Sequence, residues 1–440
     1  MHARDHAYAL LYTFFHRRKR LKEITDAYFR RHALDPALRA HLTAYTREVI
    51  RWTGRLDWWI QVALDRPHKR RPLALQVVLR QAVYELFNDP TIPDYAVLDE
   101  AVKQARKKVG PYATGLVNAV LRKLTQYEPD IPPGSLDSLE NRAAWHSFPA
   151  WLFQRWEERY GRERTAELAE YFNHQPPHHL RRNPDRVDEK TFFQAMESAQ
   201  IQVERFSHSD RFYRIIKGGQ RLLSHSLFRE GAVSLQDRGA GAIVELLAPQ
   251  EGELILDVCA APGTKSAYLA EYAHDRVRIL ASDVNPRRVA TARKDLQRHH
   301  LTSLEWSYKD ATRDSFPRAE AILIDAPCTG TGVFGRRPDA RWRRQPEEIE
   351  TMAQLQLKLL THMQTFVKPG GRLVYSTCSL EPEENWQVIE TFNNLSDRFE
   401  IDSAMNYVPP EWTDDSGALA TWPPRHGVDS MFAVRFIARL

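Results

Sequence analysis

Two cysteines stand in turns of matched character. Cys328 lies in IDAPCTGTG and Cys378 in YSTCSLEPEEN, fifty positions apart, and each turn follows a short apolar run. If those runs are neighbouring strands of one sheet, their tips bring the two thiols together. A thiol at a strand end, near helix N-termini and the arginines of RRPDARWRR (Arg336–Arg344), is expected to have a lowered pKa. It would then serve as a nucleophile toward an electron-poor carbon. Asp325, three residues before Cys328, adds a carboxylate to the same turn. Cys259 directly follows another apolar run and suits a small buried filler.

A second set of residues describes a ligand. The run LILDV leads into CAAPGTKS and then a helical stretch, SAYLAEYA. The small residues of this turn (Cys259, Ala260, Ala261, Pro262, Gly263, Thr264, then Lys265) let backbone approach a ligand that faces the helix N–H groups. The next run ends at Asp283, 26 residues after Asp257, and the one after is followed by Asp310 in YKDATRD. Taken singly, each acid suits a helix cap equally well. Three successive strand ends in this order describe an adenosine-containing ligand, with an acid placed for a ribose diol. No GxGxxG fingerprint competes.

An adenosine ligand beside a thiolate suits one reaction. Thiolate addition at C6 of a cytosine makes C5 nucleophilic toward an electrophilic methyl; a base then removes the C5 proton and the thiol is expelled. This needs one cysteine nucleophile, one proton-transfer group and an acid on the N3/N4 edge, a place Asp325 fits. Spacing alone does not choose between Cys378 and Cys328.

These turns need a scaffold. Beyond Gly231, LILDV, VRILASDV, LEWSYK, AILIDAP and GRLVYST alternate with helical stretches and end in MFAVRFIARL. That alternation predicts an α/β, doubly wound, mostly parallel sheet over residues 230–440, whose ligands bind at the carboxyl ends of the strands. Residues 1–130 carry helical apolar spacing, as in LALQVVLRQAVYELF and YAVLDEAVKQARKKV, broken at Asp65–His68 and Asn88–Pro93. They predict an all-α bundle. Four prolines in 128–150 predict a linker, and 145–229 reads as a small α+β module with RFYRIIK as a strand.

Composition narrows the class. The net charge is +5, but residues 1–130 hold 23 Lys+Arg against 14 Asp+Glu, a local +9, which leaves −4 for the rest. A basic front on a near-neutral body predicts a polyanionic partner, nucleic acid first. The chain holds no apolar run of the ~18 residues a membrane span needs. Three cysteines form no CxxC pair and predict neither a disulfide framework nor a metal site. No apolar, cleavable leader is evident, so a reducing cytoplasmic setting is expected.

Together, the Cys-Ala-Ala-Pro-Gly-x-Lys, Asp-Ala-Pro-Cys and Ser-Thr-Cys-Ser-x-x-Pro-Glu-Glu-Asn stretches resemble those of the S-adenosylmethionine-dependent RNA cytosine-5 methyltransferases. HSFPAWLFQRWEERYG, LRRNP and EGAVSLQDRGA resemble the substrate-side module of that family. RWTGRLDWWI, LRQAVYEL and GLVNAVLRKL resemble the NusB-type RNA-binding helical domain. The fusion is similar to the bacterial RsmB type, which acts on a cytosine of small-subunit (16S) ribosomal RNA. The resemblance implies a Rossmann-like methyltransferase domain behind a NusB-like domain, probed by RNA and holding S-adenosylmethionine. It implies Cys378 as nucleophile, Cys328 in proton abstraction or product release, and Cys259 to Lys265 along the cofactor. Asp283 would meet its ribose, Asp310 its adenine, and Asp325 would lie between cofactor and base.

The target base must be looped out or flipped, and unpaired bases stack on aromatic or arginine side chains. Lys265, Arg341 and Trp342 are therefore the candidate RNA contacts, with phosphates on Arg17–Arg20 and Lys103–Lys108 and a monomeric enzyme expected. Thr264, Arg182 and the Ser430–Met431 pair depart from the family pattern. A transfer RNA substrate, another ribosomal position, or a non-catalytic assembly factor are the competing expectations.

Overall fold

The computed structural model describes residues 2–64 and 70–440, so the expected break at Asp65–His68 lies outside the described residues. The chain forms two compact units: Met1–Gln175 with Phe334–Pro346, and Pro176–Val333 with Glu347–Leu440.

The first unit is helical. It comprises α1 (Ala3–Arg17), α2 (Leu21–Arg31), α3 (Pro36–Arg51), α4 (Thr53–Ala63), α5 (Leu73–Asn88), α6 (Asp94–Lys108), α7 (Thr114–Leu124), α8 (Leu139–Trp145), α9 (Ala150–Tyr160) and α10 (Arg162–Asn173). Local sequence starts these helices: Asp35 caps α3 by accepting from Leu38 N–H at 2.8 Å, with Pro36 in the first turn. Helix α5 is apolar nearly all round, burying Leu75, Val77, Val78, Leu79, Ala82 and Val83, as a central helix must. Its buried Glu85 is matched by the Tyr45 hydroxyl at 2.7 Å and by Arg4.

The expected linker is only partly irregular. Ser138 caps α8, accepting from Asn141 N–H at 3.2 Å, and Ala143, Ser147 and Phe148 are buried. Helices α8–α10 pack in the same compact unit as α1–α7, while the strands of the module expected over 145–229 lie in the second unit. The cause is an aromatic cluster of Phe148, Trp156 and Phe172 that closes on Phe334, a residue from the far side of the chain. Helical periodicity marks an apolar face but not its partner.

The second unit holds two sheets. The smaller is antiparallel, β1 (His178–Arg182), β2 (Gln202–Arg205), β3 (Phe212–Lys217) and β4 (Val233–Leu235), in the order β2-β3-β1-β4. The larger contains β5 (Leu254–Asp257), β6 (Arg278–Asp283), β7 (Leu304–Tyr308), β8 (Ala319–Asp325), β9 (Val367–Thr377), β10 (Phe399–Asp402), β11 (Leu419–Ala420) and β12 (Phe432–Ala438). Its order is β10-β12-β9-β8-β5-β6-β7, with β11 on β12. Strands β5 to β9 run parallel and β12 lies antiparallel to β9. Apolar residues alternate between two cores: Ile255, Leu323 and Val374 enter one, while Leu256, Ile322, Ile324 and Leu373 enter the other.

Chain order reverses between β5 and β8, which pair with Asp257 opposite Leu323. Strand β8 pairs with β9 so that Asp325 lies opposite Ser376. The tips of β5, β8 and β9 are therefore neighbours at the carboxyl edge, where a doubly wound sheet binds its ligands. The five expected runs are all strands; β10 and β11 went unread because each has only two to four residues of weak alternation.

Candidate active site

The register of β8 and β9 carries Cys328 and Cys378 to one place. Their Sγ atoms lie 3.2 Å apart, and no disulfide joins them. Several hydrogen bonds hold the two turns. Gly332 N–H donates to the Cys378 carbonyl at 3.0 Å, and Leu380 N–H donates to Thr331 Oγ1 at 2.8 Å. Thr377 Oγ1 meets Asn385 Oδ1 at 2.6 Å, and Asn385 returns a bond to the Ser379 carbonyl at 2.9 Å. Gly332 permits this approach, because a Cβ there would stand 2.5 Å from Ser430 Cβ and 2.9 Å from the Cys378 carbonyl oxygen.

Beside the sulfurs lies an ion pair. Lys265 Nζ donates to Asp325 Oδ2 at 2.6 Å, and Ser376 Oγ donates to Asp325 Oδ1 at 3.0 Å. Burial acts to lower the Lys265 pKa, but the charge and hydrogen bond of Asp325, then the charge of Cys378, outweigh it and raise it. Lys265 is thus a persistent ammonium within electrostatic reach of Cys378. Cys328 differs: its hydrogen bond with Cys378, burial, and the charges of Cys378 and Glu384 push its thiol well up. The expected lowered pKa is corrected for this cysteine. The nearby cation is Lys265, whereas the 336–344 arginines belong to the helical unit.

The turn Cys259–Gly263 leads into the helix Thr264–Tyr272. Gly263 takes φ +99°, and a Cβ there would stand 2.6 Å from Leu296 Cδ1 and 2.8 Å from Trp306 Cζ2. Thr264 begins the helix with an ordinary φ, so its departure from the family pattern strains nothing. Cys259 is a filler as expected, with burial raising its thiol pKa. Asp257, unremarked in sequence except as a strand end, accepts from Ser266 Oγ at 2.7 Å. Burial raises its pKa to about 7, against the Ser266 bond and helped by Asp325.

The remaining acids occupy the same edge. Asp283 ends β6, 2% exposed, accepting from Asn285 N–H and pairing with Arg288 at 2.9 Å. Arg288 also donates to the Ala261 carbonyl, which ties the acid to the turn. Asp310 lies two residues past β7, where the Thr312 hydroxyl and N–H, and then Arg313, hold its carboxyl below the usual range. Two features fit an adenosyl ligand: no side chain caps the helix Thr264–Tyr272, and Asp257 Oδ1 is buried without a hydrogen-bond partner. Among the described residues no His/Cys/Asp/Glu cluster suits a metal ion, and no helix is long and apolar enough to cross a membrane.

The RNA contacts divide. Lys265 is at the site, 13% exposed and engaged with Asp325. Arg341 is corrected: it is fully buried in the helical unit, donating to the Ser147 carbonyl (3.1 Å), Asn173 Oδ1 (2.7 Å) and the Phe172 carbonyl (3.1 Å). Its guanidinium stacks over the Phe148 ring at 3.9 Å. Trp342 is half-buried against the helical core, its indole N–H donating to the Ile50 carbonyl at 2.7 Å. Two other departures are structural as well. Arg182 is buried and donates to the Val187 and Asp210 carbonyls, and Ser430 Oγ donates to the Thr421 carbonyl at 3.2 Å. Sequence reasoning missed Ser376, Ser266 and Glu384, although Glu384 sits in the quoted PEEN run.

Comparison with known proteins identifies the family. The family "16S rRNA methyltransferase RsmB/F" matches residues 244–437, the NusB family residues 1–126, and the ferredoxin-like domain of RsmF/B-like methyltransferases residues 148–217. A Bacillus subtilis protein, "Probable ribosomal RNA small subunit methyltransferase B", is 30% identical over 86% of this chain and 85% of its own. The Synechocystis protein of the same description is 32% identical over 92% and 93%. The crystal structure of PH0851 superposes with a TM-score of 0.78 at 25% identity, covering 99% of each chain. With its NusB-like helices, ferredoxin-like module and Rossmann-like sheet, the chain belongs to the RsmB/F family of S-adenosylmethionine-dependent RNA methyltransferases.

Proposed function

We propose that this protein methylates C5 of a cytosine in small-subunit (16S) ribosomal RNA through a transient bond between Cys378 and C6. The observation that carries the reading is the sulfur pair at 3.2 Å beside the Lys265–Asp325 ion pair. The names of the relatives supply the RNA class.

Lys265 favours the Cys378 thiolate by its charge, and that thiolate adds to C6. Asp325, held by Lys265 and Ser376, presents an oxygen to the N3/N4 edge, where it accepts from the N4 amino group and orients the ring, while the Lys265 ammonium offsets the negative charge that addition creates. Residues Cys259 to Lys265, with Asp283, Asp310 and Asp325, would hold S-adenosylmethionine, which when bound supplies an electrophilic methyl for C5. Cys328 acts in the release step. While Cys378 carries charge, it helps to hold the Cys328 proton in place; once Cys378 is a neutral thioether, that part of the restraint is gone and Cys328 can pass its proton to solvent. The resulting thiolate takes the C5 proton as the C6–S bond breaks, and Cys378 departs as thiolate.

The test is methyl transfer from labelled cofactor to unmodified 16S ribosomal RNA, with the product mapped to the base. One 5-methylcytosine should appear, and Cys378→Ala should lower turnover at least 10³-fold, on the order expected for loss of a covalent nucleophile. Methylation on an exocyclic nitrogen, or full activity of Cys378→Ala, would remove the reading. A cytoplasmic location is the corresponding proposal.

A further inference from the structure

Behind the two cysteines lies a buried carboxylate that the reaction above does not use. Glu384 is fully buried, and four donors converge on it. Thr329 N–H reaches Oε1 at 2.8 Å and Gln356 Nε2 reaches Oε1 at 3.0 Å. The hydroxyls of Thr329 and Ser379 both reach Oε2. Thr329 is the residue after Cys328, and Ser379 is the residue after Cys378. Gln356 also donates to the Pro327 carbonyl at 2.9 Å, just before Cys328. The main chain of Glu384 is anchored in turn, its carbonyl accepting from the Tyr375 hydroxyl at 2.6 Å.

We propose that Glu384 is a positioning residue: its carboxylate clamps the two cysteine turns at their sulfur–sulfur separation and, as a buried anion, keeps Cys328 protonated so that Cys378 is the resting thiolate. This deepens the proposed function and rests on it for the meaning of the two roles, but its geometry stands alone. Two of the four donors are N–H groups, which can only donate, and both hydroxyls are free to turn their protons inward. All four are therefore satisfied by the anionic form. Glu384, Cys378 and Tyr375 are among the groups that face Cys328, and Lys265 is among those that face Cys378. Burial pushes the Glu384 carboxyl up, and the bonds from Ser379, Thr329 and Gln356 act against it and favour the anion. With that anion behind one sulfur and an ammonium beside the other, the charges are unequal. Spacing in the sequence could not distinguish the two cysteines, and this asymmetry can.

Glu384→Gln separates charge from shape. Its amide oxygen can take the two N–H donors at the Oε1 position, and its NH₂ can face hydroxyls that rotate to accept. The experiment uses the full chain without RNA or cofactor, and reads the alkylation rate of each cysteine by iodoacetamide against pH, resolved by peptide mass spectrometry. In the parent protein Cys378 should react at lower pH than Cys328. In Glu384→Gln the Cys328 profile should move at least half a pH unit lower while the Cys378 profile moves less. Glu384→Ala, which removes the clamp as well, should lower kcat more than tenfold with KM for cofactor little changed. A Cys328 profile unmoved in a folded Glu384→Gln protein overturns the proposal, as does a Cys328 that reacts before Cys378 in the parent. Because alkylation needs no substrate, a wrong RNA assignment would leave this result standing.

Discussion

A sulfur 3.2 Å from a sulfur, with no bond between them, is a pair suited to sharing one proton. In the proposed reaction, thiolate addition removes one of the charges that hold the proton, so that the same two atoms act as nucleophile first and base second. The neighbouring acids divide by environment. Asp325 is bound to an ammonium and a hydroxyl, whereas Asp257 is buried at the tip of β5 with one oxygen unmatched. The pH consequence of Asp257 has a definite sign. Its folded pKa, about 7, lies above its ordinary value of 3.8, so folding favours the protonated acid. The contribution is complete below about pH 4 and is lost as pH rises through 7. A tenfold change in proton affinity is worth about 1.4 kcal/mol, so up to about 4 kcal/mol is at stake between those limits. Asp257→Asn should therefore flatten the fall in Tm between pH 5 and 8 in the ligand-free protein. An undiminished fall in the variant would place its origin elsewhere.

At the scale of elements, the segment 334–346 shows what sequence can and cannot tell. The strand runs LILDV, AILIDAP and GRLVYST were legible because alternating or continuous apolar residues must be buried wherever the sheet lies. Their turns were legible because Gly263, Asp325 and the cysteines have few bland uses together. The role of RRPDARWRR was not, because an arginine that stacks on a base and one that satisfies buried carbonyls look alike in sequence. Arg341 is the second kind. So is Arg51, 1% exposed, which donates to the Phe172 carbonyl at 2.6 Å and the Gly335 carbonyl at 3.0 Å. Glu384 escaped notice for the same reason: exposed glutamates are common, and only the register of β8 against β9, with Gln356 from the helix Glu347–Met363, reveals its four donors. Arg341→Ala should cost about 3 kcal/mol, because it strands several buried acceptors. Thermal unfolding would show this as a lower Tm, while Arg18→Ala, on an exposed turn, should leave Tm unchanged. An Arg341→Ala protein of full stability with weakened RNA binding would restore the reading made from sequence.

For the whole molecule, the cysteine pair sits on the α/β unit, and the excess of positive charge lies in residues 1–130. Of that excess, Arg17, Arg18, Lys19 and Arg20 are exposed, whereas Lys107 and Lys108 pair with Asp5 and Lys103 with Asp99 and Glu100. The direct measurement is denaturing electrophoresis of the full chain carrying Cys328→Ala after incubation with unmodified 16S ribosomal RNA and S-adenosylmethionine, followed by peptide mass analysis. A band resistant to denaturant, with the RNA attached at Cys378, is the predicted result; normal turnover with no attached species, or attachment at another residue, would contradict it.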